Sequence, residues 1–459
     1  MTDADTTSDP PTAREQPGGA ADRGAAMPDR LAYLRVIGLA ALIGTPAAFV
    51  AALFLAVVHD LEHWLWTDLP DALGETAPPW YLVLGLPVVG AAIVIAARLW
   101  LPGDGGHSPL LGVAGGPTLL KAGPGVALAA IGTLSFGAVL GPEAPLIALG
   151  SVVGLLIGTV VRLGPQEEKV VAASGSFAAI SALFGGPLVG GVLMLESGLG
   201  MGAALIPALL PGFVAAAIGY VIIIGFGNWG GIGAQSLAVP NLPPYTDVHA
   251  GDLISAIVVG IVAAALIAVV RRLGERIDTS ALQRLGLPVL LLAGGLAVGV
   301  IAEVADVLGA NSQDVLFSGQ ASLPALVFEE STKIVVILLV AKAIAYAVCL
   351  GCGFRGGPVF PAIFLGVALS TVLAALTDMS PTAALAIGAG AGMAAMTRML
   401  LTSALLAALL VGSAGSDTAP IAVLAVVTGW LAISVLDPKP PPPAPVDAVS
   451  HPPAAPAAH

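Results

Sequence analysis

Charge is what this chain has least of. Asp, Glu, Lys and Arg make up 10% of its 459 residues against 57% hydrophobic, and the mean hydropathy is +0.96. So few polar groups cannot clothe a water-soluble body of this size, which excludes an ordinary soluble enzyme. Cysteine is nearly absent too. The two residues present, Cys349 and Cys352, exclude a disulfide-stapled scaffold. Their C-x-x-C spacing ends an apolar run with no thioredoxin-like context, so they read as buried small hydrophobes and not as a redox pair. No H-E-x-x-H metalloprotease motif occurs, and Ala173-Ser174-Gly175-Ser176 is a small-residue packing surface without a nearby histidine base, so an intramembrane protease finds no support. No basic-plus-apolar leader opens the chain, and none is read as a cleaved signal peptide.

Long apolar runs are what the chain does have. They fall at roughly 33–58, 81–100, 123–140, 145–162, 204–226, 251–270, 286–308, 332–352, 358–377, 383–412 and 418–436. As helices such runs cross about 30 Å of hydrocarbon. Gly and Pro interrupt several of them, which predicts broken helices packed inside protein. The abundance of Gly and Ala predicts close helix–helix contact. The expected organisation is a disordered polar tail over 1–30, a transmembrane domain over 31–436 with halves at about 31–200 and 250–436, and a disordered Pro-rich tail over 437–459. Arg23, Arg30 and Arg35 before the first run, and the cluster Arg271, Arg272, Arg276 and Arg284, place both termini in the cytoplasm by the positive-inside rule. His59 and His63 lie one helical turn apart, but beside Trp64 and Trp66 they read as an interfacial belt and not as metal ligands. No metal and no cofactor is implied, and nothing points to nucleic acid.

One unit is written twice. Gly141-Pro142-Glu143-Ala144-Pro145-Leu146-Ile147-Ala148-Leu149-Gly150 returns 216 residues later as Gly357-Pro358-Val359-Phe360-Pro361-Ala362-Ile363-Phe364-Leu365-Gly366. The end glycines, both prolines and the leucine coincide. The same offset sets Phe177-Ala178-Ala179-Ile180-Ser181 on Met393-Ala394-Ala395-Met396-Thr397. A duplicated membrane unit usually holds its binding site where the copies meet. Each copy reads as a helix start within the bilayer, where orphan N–H groups carry partial positive charge and can hold an anion. Only the first copy has a carboxylate, Glu143, and an ionisable group at membrane depth is a functional candidate by default. A surface capping role is the bland alternative. Gly105-Gly106-His107-Ser108-Pro109 is a third Gly/Pro start.

These segments resemble the chloride channel and transporter (CLC) family. Its motifs G-S-G-I-P, G-[K/R]-E-G-P and G-x-F-x-P stand here, in that order, as Gly105–Pro109, Gly141–Pro145 and Gly357–Pro361. Its A-P-L-A-G-x-L-F-x-x-E helix is similar to Gly186–Glu196. The resemblance covers about 31–436. It implies an all-α polytopic membrane protein with an inverted-repeat fold, a homodimer in the plasma membrane with one pore per subunit, and chloride as the transported ion. Glu143 would be the gate. Gly106, His107, Ser108, Pro109, Gly141, Ala144, Gly357, Val359 and Phe360 would line the anion site, with Glu196 as a supporting or a structural group; Lys342, deep in the run Val335–Leu350, reads by its place either as the partner of an acid or as a source of positive potential for the pore. The family's serine position falls on Gly106, so Ser108 or His107 is the substitute. Pro142 replaces a basic residue, and Pro358 lacks an N–H. The family's late tyrosine has no equivalent after 436, the last tyrosine being Tyr346. The inner proton-carrying acid of its exchangers falls on Ser197. The expected function is therefore passive, glutamate-gated chloride conduction. The alternatives are chloride/proton antiport, a fluoride-type member, or an unrelated secondary transporter with duplicated halves.

Overall fold

A computed structural model describes residues 30–113, 117–198, 205–225, 230–231, 237–279 and 286–438. The two expected tails, up to residue 29 and from 439 onward, lie outside the described residues, as does Arg284. The first half supplies α1 (Arg30–His63), α2 (Leu69–Ala72), α3 (Trp80–Trp100), α4 (Gly123–Leu134), α5 (Glu143–Val161), α6 (Pro165–Leu183), α7 (Pro187–Ser197) and α8 (Leu205–Ile224). Then come α9 (Ala250–Asp278), α10 (Leu287–Val307), and the short α11 (Ser312–Val315) and α12 (Leu323–Val327). The last five are α13 (Thr332–Gly351), α14 (Val359–Thr377), α15 (Pro381–Thr397), α16 (Leu400–Val411) and α17 (Ala419–Leu436). Among the described residues eight helices are long and apolar enough to cross a membrane.

The apolar windows and the helices correspond, with instructive departures. The first window continues as one helical run from Tyr33 to Ala72, 40 residues, through a π-helical turn at Trp64–Asp68. That turn rotates Trp66 inward. Sequence placed Trp66 in an interfacial belt, but it is 3% exposed, donates its Nε1–H to the Ser135 carbonyl at 3.0 Å and meets the Phe317 ring edge-on at 5.2 Å. Trp64, 53% exposed, does lie outside the core. The 123–140 window stops being α-helix at Leu134, because Gly137 adopts φ +89 and turns the chain toward Gly141. The 383–412 window breaks at Arg398, which takes a left-handed φ of 59 between α15 and α16.

The duplication is a structural repeat. α5 and α14 start and stop at the same offset of 216 residues, and both end on a left-handed residue, Arg162 (φ 57) and Asp378 (φ 54). α6 and α15 open at the same offset, on Pro165 and Pro381. In each copy the unit's terminal glycine lets two helices touch through backbone: a Cβ on Gly150 would strike the Gly175 carbonyl, and one on Gly366 the Gly388 carbonyl. Helix approach this close is available only to small residues.

Candidate anion-pathway site

The two copies meet head to head. Gly141 donates its N–H to the Gly357 carbonyl at 2.7 Å, and Gly357 donates back to Gly141 at 2.5 Å, an isolated antiparallel bridge. Two further contacts obey the same two-fold. The Val139 N–H donates to Cys349 Sγ at 3.2 Å, and its repeat equivalent, the Arg355 N–H, donates to Thr133 Oγ1 at 3.3 Å. So Cys349 is buried, as sequence expected, and it is also an acceptor that joins the halves.

Glu143 breaks the symmetry. It is the first residue of α5, with 0% exposure, and its carboxylate crosses the two-fold to the start of α14. Phe360 donates its N–H to Oε1 at 3.1 Å; Oε2 is buried with no partner. The glycines make the room. A Cβ on either Gly141 or Gly357 would run into the carboxylate oxygens. The first turn of a helix offers orphan N–H groups and partial positive charge, so the carboxylate sits where a small anion could sit. Val359 and Phe360 are fully buried, and the Phe360 ring lies 5.8 Å from that of Phe184; Ala144 is half-buried. Gly141, Glu143, Gly357, Val359 and Phe360 are thus brought together.

The first motif forms a left-handed turn packed against Arg355. Gly103, Asp104, Gly105 and Gly106 all take left-handed φ values (92, 51, 69 and 104), and the turn runs into a 3₁₀ segment of three residues, Pro109–Leu111. Sequence expected a third helix start aimed at the same anion; one 3₁₀ turn has too few aligned peptides for a comparable dipole. Pro109 is buried, Ser108 is half-buried and makes no cap bond, and His107 is exposed. What links this turn to the second helix start is Arg355. Its Nη2 pairs with Asp104 Oδ2 and its Nε donates to the Asp104 carbonyl at 3.0 Å. Arg98 shares Asp104 through Nε at 2.7 Å and donates to the Gly353 carbonyl at 2.9 Å. Burial first, then the Arg98 charge, lower the Arg355 guanidinium to about 10, so it remains protonated at neutral pH. Ser108, Arg98, Arg355 and Cys352 line a cavity of about 260 Å³ whose other walls include Asp278.

Two supporting candidates acquire definite partners. The Lys342 ammonium, 0% exposed, donates to the carbonyls of Asp314 (2.8 Å), Val315 (3.2 Å) and Leu316 (2.8 Å) and lies 4.4 Å from the Phe364 ring centroid. Carbonyl dipoles at the end of α11, and not an acid, hold the cation. Glu196 accepts from the amides of Leu400 (2.9 Å), Leu401 (2.8 Å) and Thr402 (2.8 Å) and from Thr402 Oγ1 (2.5 Å), which makes it the cap of α16. Ser197 donates its hydroxyl to Met194 O at 3.0 Å. Sequence reasoning missed Tyr346. It is 0% exposed and donates its hydroxyl to the Pro358 carbonyl at 2.9 Å. The signal was available: Lys342, Tyr346 and Cys349 recur at i, i+4 and i+7 on one face of α13.

The fold, the paired helix starts and the buried carboxylate define a membrane protein of the CLC transport class. The family model described as "Voltage gated chloride channel" matches residues 113–432, and the chain belongs to that family. Among curated proteins, two relatives from Escherichia coli (strains SMS-3-5 and O7:K1 IAI39) bear the name YfeO and a provisional assignment to ion transport. They are 28% and 29% identical to this chain over 343 and 347 residues, covering 73% of it and 78% of each of theirs. Among solved structures, a slow cyanobacterial Cl⁻/H⁺ antiporter superposes with TM-score 0.70 at 18% identity, covering 89% of this chain and 96% of its own. A CLC-type fluoride/proton antiporter gives 0.66 at 20% identity, covering 88% and 96%. These likenesses establish the fold.

Proposed function

We propose that this protein lets chloride cross a membrane passively, with Glu143 as the gate. The observation that carries the reading is the Glu143 carboxylate on the α14 start, buried, with one oxygen held by the Phe360 amide and the other unpartnered. A carboxylate and chloride are both monovalent anions, so each can use the same backbone donors and each displaces the other. The anion ligands are then the amides at Val359 and Phe360, with Gly141, Ala144 and Gly357 forming the walls. Gly106, His107, Ser108 and Pro109 line the approach on the side of Arg98 and Arg355. Passive conduction is favoured over proton exchange because Ser197 does not titrate near neutral pH and the adjacent Glu196 is committed to four donors. The second reading, exchange with protons, is favoured by the names of the structural neighbours, which describe proton antiporters for chloride and for fluoride.

The proposed setting is the plasma membrane, with both termini cytoplasmic and two copies side by side. Arg30 and Arg35 at the start of α1, and Arg271, Arg272 and Arg276 at the end of α9, support the orientation. Chloride efflux from proteoliposomes carrying Glu143→Gln and Glu143→Ala tests the gate. Flux that no longer depends on pH is expected, and unchanged flux with unchanged pH dependence in both variants overturns it. Reversal potentials decide the coupling: at fixed chloride, a shift with the proton gradient establishes exchange, and no shift establishes conduction.

A further inference from the structure

A chain this poor in charge sets three charged side chains in contact beside its first motif. The Asp104 carboxylate meets two guanidiniums, Arg98 and Arg355, whose side chains are 13% and 8% exposed. Arg98 grips both carboxylate oxygens, Nε on Oδ1 at 2.7 Å and Nη2 on Oδ2 at 3.0 Å. Arg355 adds Nη2 on Oδ2 and donates its Nε–H to the Asp104 carbonyl at 3.0 Å. An ion pair between two exposed side chains stabilises little; here the cations are buried and only the anion, at 59%, is exposed. The backbone makes the carboxylate more telling. Asp104 is the one non-glycine in a run of four left-handed residues, Gly103 to Gly106. Glycine suits such a position best, and Asp and Asn are the side chains that tolerate it. A carboxylate therefore stands where glycine would fold more readily.

This clasp borders the paired helix starts. Arg355 is two residues before Gly357, which exchanges hydrogen bonds with Gly141 around the Glu143 carboxylate. Arg98 donates its Nη1–H to the Gly353 carbonyl at 2.9 Å, on the same approach to α14. A Cβ on Gly105 would lie 3.1 Å from Arg98 Cγ and 3.4 Å from Arg355 Cγ, so the first-motif turn packs on both arginines. Ser108 of that motif, both arginines and one further carboxylate, Asp278, line the cavity of about 260 Å³. Asp278 also acts on Arg355 electrostatically. Two positive and two negative groups thus face one another, and their charges cancel. Without Asp104, Arg355 loses the partner of its Nη2–H and one positive charge is left over. An unpaired guanidinium in a confined place recruits an anion and holds it, whereas a route conducts only where ions also leave.

We propose that Asp104 is a positioning residue of the anion route. It commits both guanidiniums, so that the first-motif turn borders the route without a free charge that would trap the passing ion. It acts through Arg98 and Arg355, not by contact with the ion. The purpose of the clasp rests on the chloride-pathway reading; its charge balance does not.

Asp104→Asn keeps the side-chain size and the tolerance for a left-handed φ, and removes one charge. In chloride efflux from proteoliposomes, half-saturation is expected at about tenfold lower chloride, the factor that one charge-assisted hydrogen bond supplies. The maximal rate is expected to fall at the same time. Adding Arg355→Gln cancels the charges again and is expected to return both quantities toward those of the parent protein, although more of the clasp is then missing. A purely structural clasp predicts the reverse order, with the double variant worse than Asp104→Asn. That order, or unchanged half-saturation in Asp104→Asn, overturns the proposal. Bromide titration of the same full-length variants in detergent reads the trap without transport: a site gained in Asp104→Asn and lost in the double variant supports it, and no gain overturns it. Should Asp104→Asn not fold, Asp104→Gly, which suits the left-handed turn, carries the same measurements. Failure of both to fold makes the clasp structural and overturns the proposal. Failure of the chloride-pathway reading looks different: no chloride flux in the parent protein or any variant, with the bromide site still gained in Asp104→Asn.

Discussion

Gly141 and Gly357 exchange both of their backbone hydrogen bonds, at 2.7 and 2.5 Å, in a chain whose described remainder is helices and loops. The bridge ties the two repeats at the point where each starts its helix, so neither start moves without the other. Both residues must also lack a side chain, because the Glu143 carboxylate fills the space that a Cβ would take.

The Gly357→Ala variant follows from that crowding. Its methyl claims the position of Glu143 Oε2, so the carboxylate must leave or the helix starts must part. Overpacking a tight site typically costs about 1–3 kcal/mol. Thermal unfolding in detergent should show that loss, and chloride efflux should resemble that of Glu143→Gln. Adding Glu143→Ala removes the obstacle, so the double variant should regain stability, with a coupling of roughly 1 kcal/mol or more. Strictly additive effects would mean that methyl and carboxylate do not compete.

Replacing Lys342 with Met keeps the length of the side chain and removes its donors. Three carbonyls then lose their partner, the buried ones of Val315 and Leu316 and the part-buried one of Asp314. An orphaned buried acceptor costs about 1–3 kcal/mol, so the expected loss is at least one such increment, read as a lower unfolding temperature. Lys342→Arg should not restore it. A Cβ on Gly319 would already lie 2.7 Å from Lys342 Cε, so no room exists for the broader guanidinium. Full stability in Lys342→Met would disprove the carbonyl-cage role.

Much of this was legible in the sequence, and the reasons are physical. The duplicated Gly-Pro unit showed two helix starts because glycine and proline impose backbone geometry locally, and the single carboxylate at 143 marked the point where the copies differ. The partners of these groups were not legible, since they depend on which chain segments the fold brings face to face. Nothing local to Lys342 says that its acceptors are carbonyls 26 to 28 residues away, nor that Glu143 reaches an amide 217 residues on. The Thr133–Arg355 and Cys349–Val139 pairs share one role with different chemistry, so a comparison of letters between the halves passes over them. Trp66 was misplaced because a π-helical turn shifts the face that a residue presents, and ordinary helical periodicity cannot foresee it.

Glu196 separates a structural from a proton-carrying acid. Its two oxygens accept from four donors at the start of α16. Glu196→Gln turns an amide NH₂ toward N–H groups on one side, and Glu196→Ala removes the cap entirely. Losses of about 0.5–2 kcal/mol are typical of a lost cap, with Ala the worse of the two in thermal unfolding. Proton movement across proteoliposomes should not change in either variant. A proton flux present in the parent protein and absent from both would assign Glu196 to coupling instead.

Tyr346 offers the sharpest test of how the second helix start is held. In the first repeat the carbonyl of Pro142 is taken by the Leu146 amide at 3.0 Å; at the equivalent Pro358 the Tyr346 hydroxyl takes it at 2.9 Å. The repeat position of Tyr346 in the first half is Ala130, which has no hydroxyl, so the bond exists on one side only. It therefore fixes the α14 start, and with it the Phe360 amide on which Glu143 rests. Tyr346→Phe keeps the ring and leaves the Pro358 carbonyl without that donor, a cost of about 1–2 kcal/mol. A purely structural bond would lower the unfolding temperature alone. If the bond positions the anion donors, Tyr346→Phe should also weaken half-saturation by chloride in efflux measurements, and should keep that second effect on a Glu143→Ala background, where the amide meets chloride with no competing carboxylate. Equal chloride half-saturation in the parent protein and Tyr346→Phe would leave the hydroxyl as a packing device with no part in the pathway.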